Sequence, residues 1–154
     1  MTNQLQINLL LESCRHALDK TALQSILSEV NKQPDQYKEV FWNDLNHLAS
    51  SHGVYPHFNV AMQKVGQDLI SIDLLAEMKQ KALEIAAVNM RMVVELVRIL
   101  KALEARNIQT LALKGPALSQ FLYGDVVSRQ YGDLDILIDK ESLEESIHLL
   151  EEYG

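Results

Sequence analysis

The chain contains one cysteine, Cys14, among 154 residues, so no internal disulfide can brace it. That poverty fits a reducing compartment, where a lone thiol is ordinarily a small core residue. Basic charge is also short: 14 Lys and Arg stand against 21 Asp and Glu, a formal net charge of −7. A broad nucleic-acid footprint needs clustered cations to meet the phosphates and is disfavoured here. A nucleotide is not excluded, because a bound divalent cation can supply local positive charge. No apolar run approaches the roughly 18 residues needed to span a bilayer. The first residues, Met1-Thr2-Asn3-Gln4, lack the basic stretch of a signal peptide. Cytoplasmic residence and no membrane partner are the expectation. Repeats, low-complexity tracts, a Ser-His-Asp arrangement and a Walker-type phosphate loop are all missing from the sequence.

What is present is a chain of ordinary globular composition, 47% apolar and 23% charged, long enough for a real core. Residues 5–31 carry helical periodicity through Leu9, Leu10, Cys14, Leu23, Leu27 and Val30, with a break near Asp19, a natural N-cap. Asn31–Asp35 is a turn signal. A second amphipathic run covers 35–51 and stops near Gly53, a natural left-handed cap. Within it, Phe41 and Trp42 read as core. A short helix is expected at about 57–65, ended by Gly66. A long run from 72 to 106 follows, free of Gly and Pro, with Ser71 or Asp73 to cap it and Asn107 at its end. Met90 and Met92 on it read as packing residues. His47, His52 and His57 are spaced by five, which suits no metal-ligand pattern; with His16 and His148 they read as structural.

The character changes after Asn107. Ile108–Leu113 reads as a strand, Pro116–Tyr123 as a short helix, Gly124–Gly132 as a loop, Leu134–Ile138 as a second strand and Glu141–Tyr153 as a helix. The expected fold class is α+β. A mainly helical region, 1–106, precedes the opening part of a mixed sheet with flanking helices, 107–154. Two strands make a poor sheet alone, and the chain stops at Gly154, where the last helix would end. A fragment of a longer protein, or completion of the sheet by a partner chain, is expected.

The chemistry concentrates in this second part. In a strand, side chains at i and i+2 share a face, so Asp133 and Asp135 would project side by side, roughly 7 Å apart at the backbone. Adjacent carboxylates repel unless a cation sits between them, and Mg2+ favours such oxygen ligands. A lone Asp-x-Asp is more often a solvated strand entry; Gly132 before it and the apolar run after it shift the balance towards a site. Lys114-Gly115 lies between a strand and a helix, where free N–H groups and a positive dipole end attract phosphate. Arg129, four residues before Asp133, could meet a phosphate or pair with an acid of the site. The plainer readings are a simple turn at Lys114 and a structural Arg–Asp pair. Glu141, Glu144, Glu145, Glu151 and Glu152 read as a solvated helix face.

Taken together, Leu111–Asp125 with its Leu-Lys-Gly-Pro core, Ser128-Arg129, and Tyr131-Gly-Asp-Leu-Asp-Ile-Leu-Ile138 resemble the uncharacterised nucleotidyltransferase family of bacteria, within the DNA polymerase β-like superfamily. The helical part, with Trp42 and His52-Gly53-Val54, is similar to that family's N-terminal region. The resemblance implies Mg2+-dependent transfer of a nucleoside monophosphate from an NTP to an unknown acceptor. It makes Asp133 and Asp135 the first two catalytic and metal-holding acids, with Lys114, Gly115 and Arg129 on the phosphates. Pro116 stands where the superfamily's signature has serine, the spacing to Asp133 is longer, and no later strand supplies a third acid. A non-catalytic nucleotide-binding or toxin-like regulatory module is the alternative. A scaffold built on the long helix is a third, and a homo-oligomer through the helical region is a further expectation.

Overall fold

The break in the first helical run falls at Asp19. In the computed structural model, which describes residues 4–15 and 17–153, α1 is Gln4–Ser13 and α2 is Lys20–Asn31. The Asp19 carboxylate accepts the Ala22 N–H at 3.0 Å, supplying a partner to one of the helix's orphan donors. His16 and Gly154 lie outside the described residues. α3 is Asp35–Ser51 and α4 is Tyr55–Val65. Between them Gly53 sits at φ +68°, and the Val54 N–H reaches back to the Ala49 carbonyl at 3.0 Å. This is the left-handed closure anticipated from the glycine. α4 starts two residues earlier than its pattern suggests, because Pro56 suits a first helical turn, where its missing N–H is not needed.

The long run forms one helix, α5, Ile72–Ala105, 34 residues and about 50 Å at 1.5 Å per residue. The Ser71 hydroxyl caps it by accepting from the Leu74 N–H at 3.3 Å. At its other end Asn107 takes φ +57°, and the Ile108 N–H bonds the Leu103 carbonyl at 3.0 Å. Asparagine tolerates that conformation better than most side chains.

The chain forms two compact units, Met1–Ile85 and Ala86–Gly154. The first is a helical unit whose core includes Leu9, Leu23, Leu27, Leu45, Phe58 and Met62, each at most 1% exposed. Phe41 and Trp42 join it, their rings edge to face at 5.4 Å. Burying side chains of this size contributes about 1.5–3 kcal/mol each before chain entropy is counted. Cys14 departs from the sequence reading. α1 ends at Ser13, whose buried hydroxyl bonds the Leu9 carbonyl at 2.6 Å, and Cys14 falls past the helix end, exposed. Burial of part of its surface still pushes the thiol pKa up, the reverse of what a reactive cysteine needs.

The second unit holds the end of α5, β1 (Thr110–Ala112), α6 (Gly115–Tyr123), β2 (Ile136–Ile138), a 3-10 turn (Lys140–Ser142) and α7 (Leu143–Tyr153). The strands pair antiparallel, Thr110 opposite Ile138, Leu111 opposite Leu137 and Ala112 opposite Ile136. Alternation then sorts the faces. Ile136 and Ile138 pack on Leu103, Ile108 and Leu149, whereas Leu111, Leu113 and Leu137 face outwards. Both strands are shorter than their apolar patterns. Ile108 is spent closing α5 and filling the core, and Lys114 and Gly115 turn the chain out of the ladder into α6. No helix among the described residues is long and apolar enough to cross a membrane.

Candidate functional site

The corner between β1 and α6 is built around Gly115. Its φ is +53°, a left-handed value that a side chain makes costly. A Cβ placed there would stand 3.2 Å from the Asp133 carbonyl oxygen. The glycine therefore lets two backbone segments meet: the turn into α6 and the stretch leading into β2. Gly132, which the sequence offered as the point of close approach, has open space where its Cβ would be. The close contact is at Gly115, and its partner is the chain's own backbone.

Asp133 and Asp135 lie just upstream of β2 rather than within it. The pairing still continues one step past the strand ends, since the Leu113 N–H bonds the Asp135 carbonyl at 3.0 Å. That bond holds Asp135 beside the end of β1 and next to Lys114. The Lys114 ammonium stands 3.4 Å from Asp135 Oδ2. The pair is loose: Lys114 is two-thirds exposed, so solvent screens it and it contributes little stability. Asp135 Oδ2 is itself buried and accepts no hydrogen bond among the described residues, since 3.4 Å with poor alignment is an ion pair only. Asp133 is exposed. The Lys114 side chain does not cap α6, which opens with Gly115 and Pro116 in its first turn.

Arg129 sits on the loop joining α6 to β2, and that loop is tied down at several points. Gly124, at φ +69°, closes α6 through a 2.9 Å bond to the Gln120 carbonyl. Asp125 organises the next turn, accepting from the Val127 N–H and the Ser128 hydroxyl, each at 3.0 Å. The Ser119 hydroxyl donates to the Asp125 carbonyl at 2.7 Å. The Arg129 carbonyl receives the Asn89 side-chain amide at 2.7 Å, and the Tyr131 hydroxyl donates to the Val126 carbonyl at 2.9 Å. Burial and the neighbouring Asp125 push the Tyr131 phenol pKa up, so it remains a donor. Arg129 is half-buried, and its Nη1 is buried without a hydrogen-bond acceptor among the described residues. No ion pair joins it to Asp133 or Asp135 there, so the plain structural Arg–Asp pair does not form.

The structure thus brings Lys114, Gly115, Asp133 and Asp135 to one corner and sets Arg129 on a neighbouring, internally braced loop. The sequence reading missed Asn89 and Tyr131, which fix that loop. Asn89 left one trace: it is fully buried, on the apolar stripe of α5 with Ile85, Met92 and Leu96. A buried amide in such a stripe needs a partner, but its partner is 40 residues away. Concavities of about 680 and 430 Å3 open elsewhere on this unit, along Leu100–Ala112 and between Gln109 and Lys140; neither is lined by Lys114, Asp133 or Asp135.

As oxygen donors, two carboxylates, one with a buried oxygen that accepts no hydrogen bond among the described residues and is held only by the loose Lys114 ion pair, fit a hard divalent cation. Among the described residues, no group of three or more His, Cys, Asp and Glu side chains is placed to hold a metal. In comparisons with known proteins, a family model described as uncharacterised nucleotidyltransferase matches residues 38–154. No curated protein and no solved structure matches the chain.

Proposed function

The chain belongs to this uncharacterised nucleotidyltransferase family, and on that premise we propose that the Lys114–Asp135 corner handles a nucleoside triphosphate with Mg2+. The reaction class is transfer of a nucleoside monophosphate to an acceptor oxygen. That oxygen bonds to the α-phosphorus, the α–β bridging bond breaks, and pyrophosphate leaves with the bond's electron pair. The acceptor's proton passes to solvent or to a site carboxylate.

One observation carries the reading. The lysine–glycine corner, a phosphate-seeking feature, and the acid pair, a cation-seeking feature, meet at a 3.4 Å ion pair and a backbone contact through Gly115. Asp133 and Asp135 would hold the cation, Asp135 through Oδ2, which accepts no hydrogen bond among the described residues and would exchange its loose Lys114 ion pair for the cation. When bound, the cation would neutralise phosphate charge and steady the leaving pyrophosphate. Lys114 would offer a mobile point charge, since it is exposed and loosely held. The free N–H groups at the start of α6 would add a fixed positive end. Arg129, with an Nη1 that lacks an acceptor, would present guanidinium hydrogen bonds from a braced loop.

The test is transfer from α-labelled NTP with Mg2+, scanned over hydroxyl and phosphate acceptors. Asp133→Asn and Asp135→Asn should each abolish labelling with the helix content unchanged; normal turnover in either rejects the assignment of that residue. A second reading, nucleotide binding without chemistry, draws support from Pro116, which follows Gly115 where the superfamily's signature has serine. Calorimetric NTP binding with no pyrophosphate release would favour it.

A further inference from the structure

Tyr131 touches both parts of the candidate site and belongs to neither. In sequence it stands midway between Arg129, the cation proposed for the phosphates, and Asp133, the first of the two acids. Its side chain is buried, 8% exposed, and the ring lies along the glycine corner: a Cβ at Gly115 would meet Tyr131 Cδ2 at 3.9 Å. Its hydroxyl reaches the loop and α5 instead. It donates to the Val126 carbonyl at 2.9 Å, and the Asn89 main-chain carbonyl on α5 stands 3.4 Å away. A hydroxyl carries a single proton, so the shorter bond is the principal one. A rigid phenol thus spans from the Lys114–Gly115 turn to the loop that carries Arg129.

Arg129 is gripped from a second direction. The Asn89 amide, itself fully buried, donates to the Arg129 carbonyl at 2.7 Å. These bonds fix the main chain at Val126 and at Arg129, while the Tyr131 ring fixes the end of the loop against the corner. The Arg129 Cα is left little freedom relative to Lys114 and Asp135. A loop whose arginine had no task would gain little from such bracing. Here the braced residue carries a guanidinium whose buried Nη1 lacks an acceptor among the described residues, a donor that an anion would complete.

We propose that Tyr131 is a positioning residue of the transfer site: its ring registers the loop on the glycine corner, and its hydroxyl, with the Asn89 amide, sets where the Arg129 guanidinium stands relative to Lys114 and Asp135. This role rests on the corner's reading as a nucleotide site. Tyr131 itself makes no contact with substrate and acts through Arg129. The phosphates are charged before the reaction as well as during it, so a misplaced Arg129 weakens NTP binding more than it slows the chemical step.

Tyr131→Phe keeps the ring and removes only the hydroxyl. In steady-state transfer from NTP with Mg2+ by the full chain, it should raise KM for NTP roughly tenfold and leave kcat within about twofold of wild type. Arg129→Gln should raise KM further, on the order of thirtyfold. The double variant decides the matter. Once the guanidinium is gone there is nothing left to position, so Tyr131→Phe/Arg129→Gln should be no weaker than Arg129→Gln alone. Asn89→Ala, an independent cut in the same brace, should combine with Arg129→Gln in the same way. If the chain binds NTP without turnover, the calorimetric dissociation constant replaces KM, with the same expected ratios. A tyrosine that only stabilised the fold would give losses that multiply in the double variant, and that result overturns the proposal. A wild-type KM in Tyr131→Phe overturns it as well. A wild-type chain that neither binds NTP nor transfers from it defeats the nucleotide reading and the positioning role together, whereas binding by the wild type without coupling to Arg129 defeats the positioning role alone.

Discussion

Replacing Gly115 by alanine puts a number on the corner that holds the candidate site. Two costs arise. An L side chain at φ +53° loses about 1–2 kcal/mol to backbone strain. Its Cβ would also stand 3.2 Å from the Asp133 carbonyl oxygen, closer than ordinary contact, adding about 1 kcal/mol for the shift this forces. Gly124 is the internal control. It has φ +69°, the same strain, but a Cβ there meets nothing within 4 Å. Gly115→Ala should therefore destabilise by about 2–3 kcal/mol and Gly124→Ala by about 1–2 kcal/mol. Amide hydrogen exchange over peptides spanning 110–138 reads the difference, at roughly tenfold in opening equilibrium per 1.4 kcal/mol. Under the proposed function, Gly115→Ala should also weaken NTP binding, whereas Gly124→Ala should do so less. Equal losses from the two substitutions would refute the close approach of Gly115 to Asp133, and the geometry of the site with it.

Asn89→Ala removes the amide that the Arg129 carbonyl accepts, in a fully buried place; a loss of about 1–3 kcal/mol and faster exchange over 125–131 are expected, and an unchanged loop would contradict the anchoring role. Burial holds the His57 imidazole below its ordinary pKa. The unfolded chain thus binds that proton more readily, so the stability from this group is complete above the usual histidine value and is lost as pH falls through the lower folded one. His57→Gln should flatten the fall in denaturation midpoint on mild acidification, and an identical slope in the variant would count against it.

The helices were legible because each is bounded by a local chemical signal. Asp19, Gly53, Ser71 and Asn107 each mark a boundary through bonds made within a few residues. Signals of that range can be read from a window of sequence. The strand ends were not legible, because a two-stranded ladder stops when either chain leaves, and Lys114-Gly115 leaves early. The phase slip that buries Ser13 and exposes Cys14 has a similar origin: periodicity continues on paper past the point where α1 ends. At the site, the neighbourhood of Lys114 and Asp135 follows from antiparallel pairing, and the residue types already suggested phosphate and cation. The bracing by Asn89 and Tyr131 could not be seen, because it depends on contacts between positions about 40 residues apart. Met90 shows the remaining gap. An apolar residue on an amphipathic helix is assigned to the core by default, and only coordinates show that this packing residue by pattern is 47% exposed.

The placement of Trp42 has an optical consequence. It is the chain's one indole, and it lies in the core of the first compact unit, edge-on to Phe41. Intrinsic emission excited at the red edge therefore samples only the melting of that helical half. The half that carries Lys114 and Asp135 is spectrally silent in such an experiment. A perturbation at the corner could pass unnoticed in a fluorescence trace while plainly altering the far-ultraviolet signal, so the two halves can be followed separately without any label.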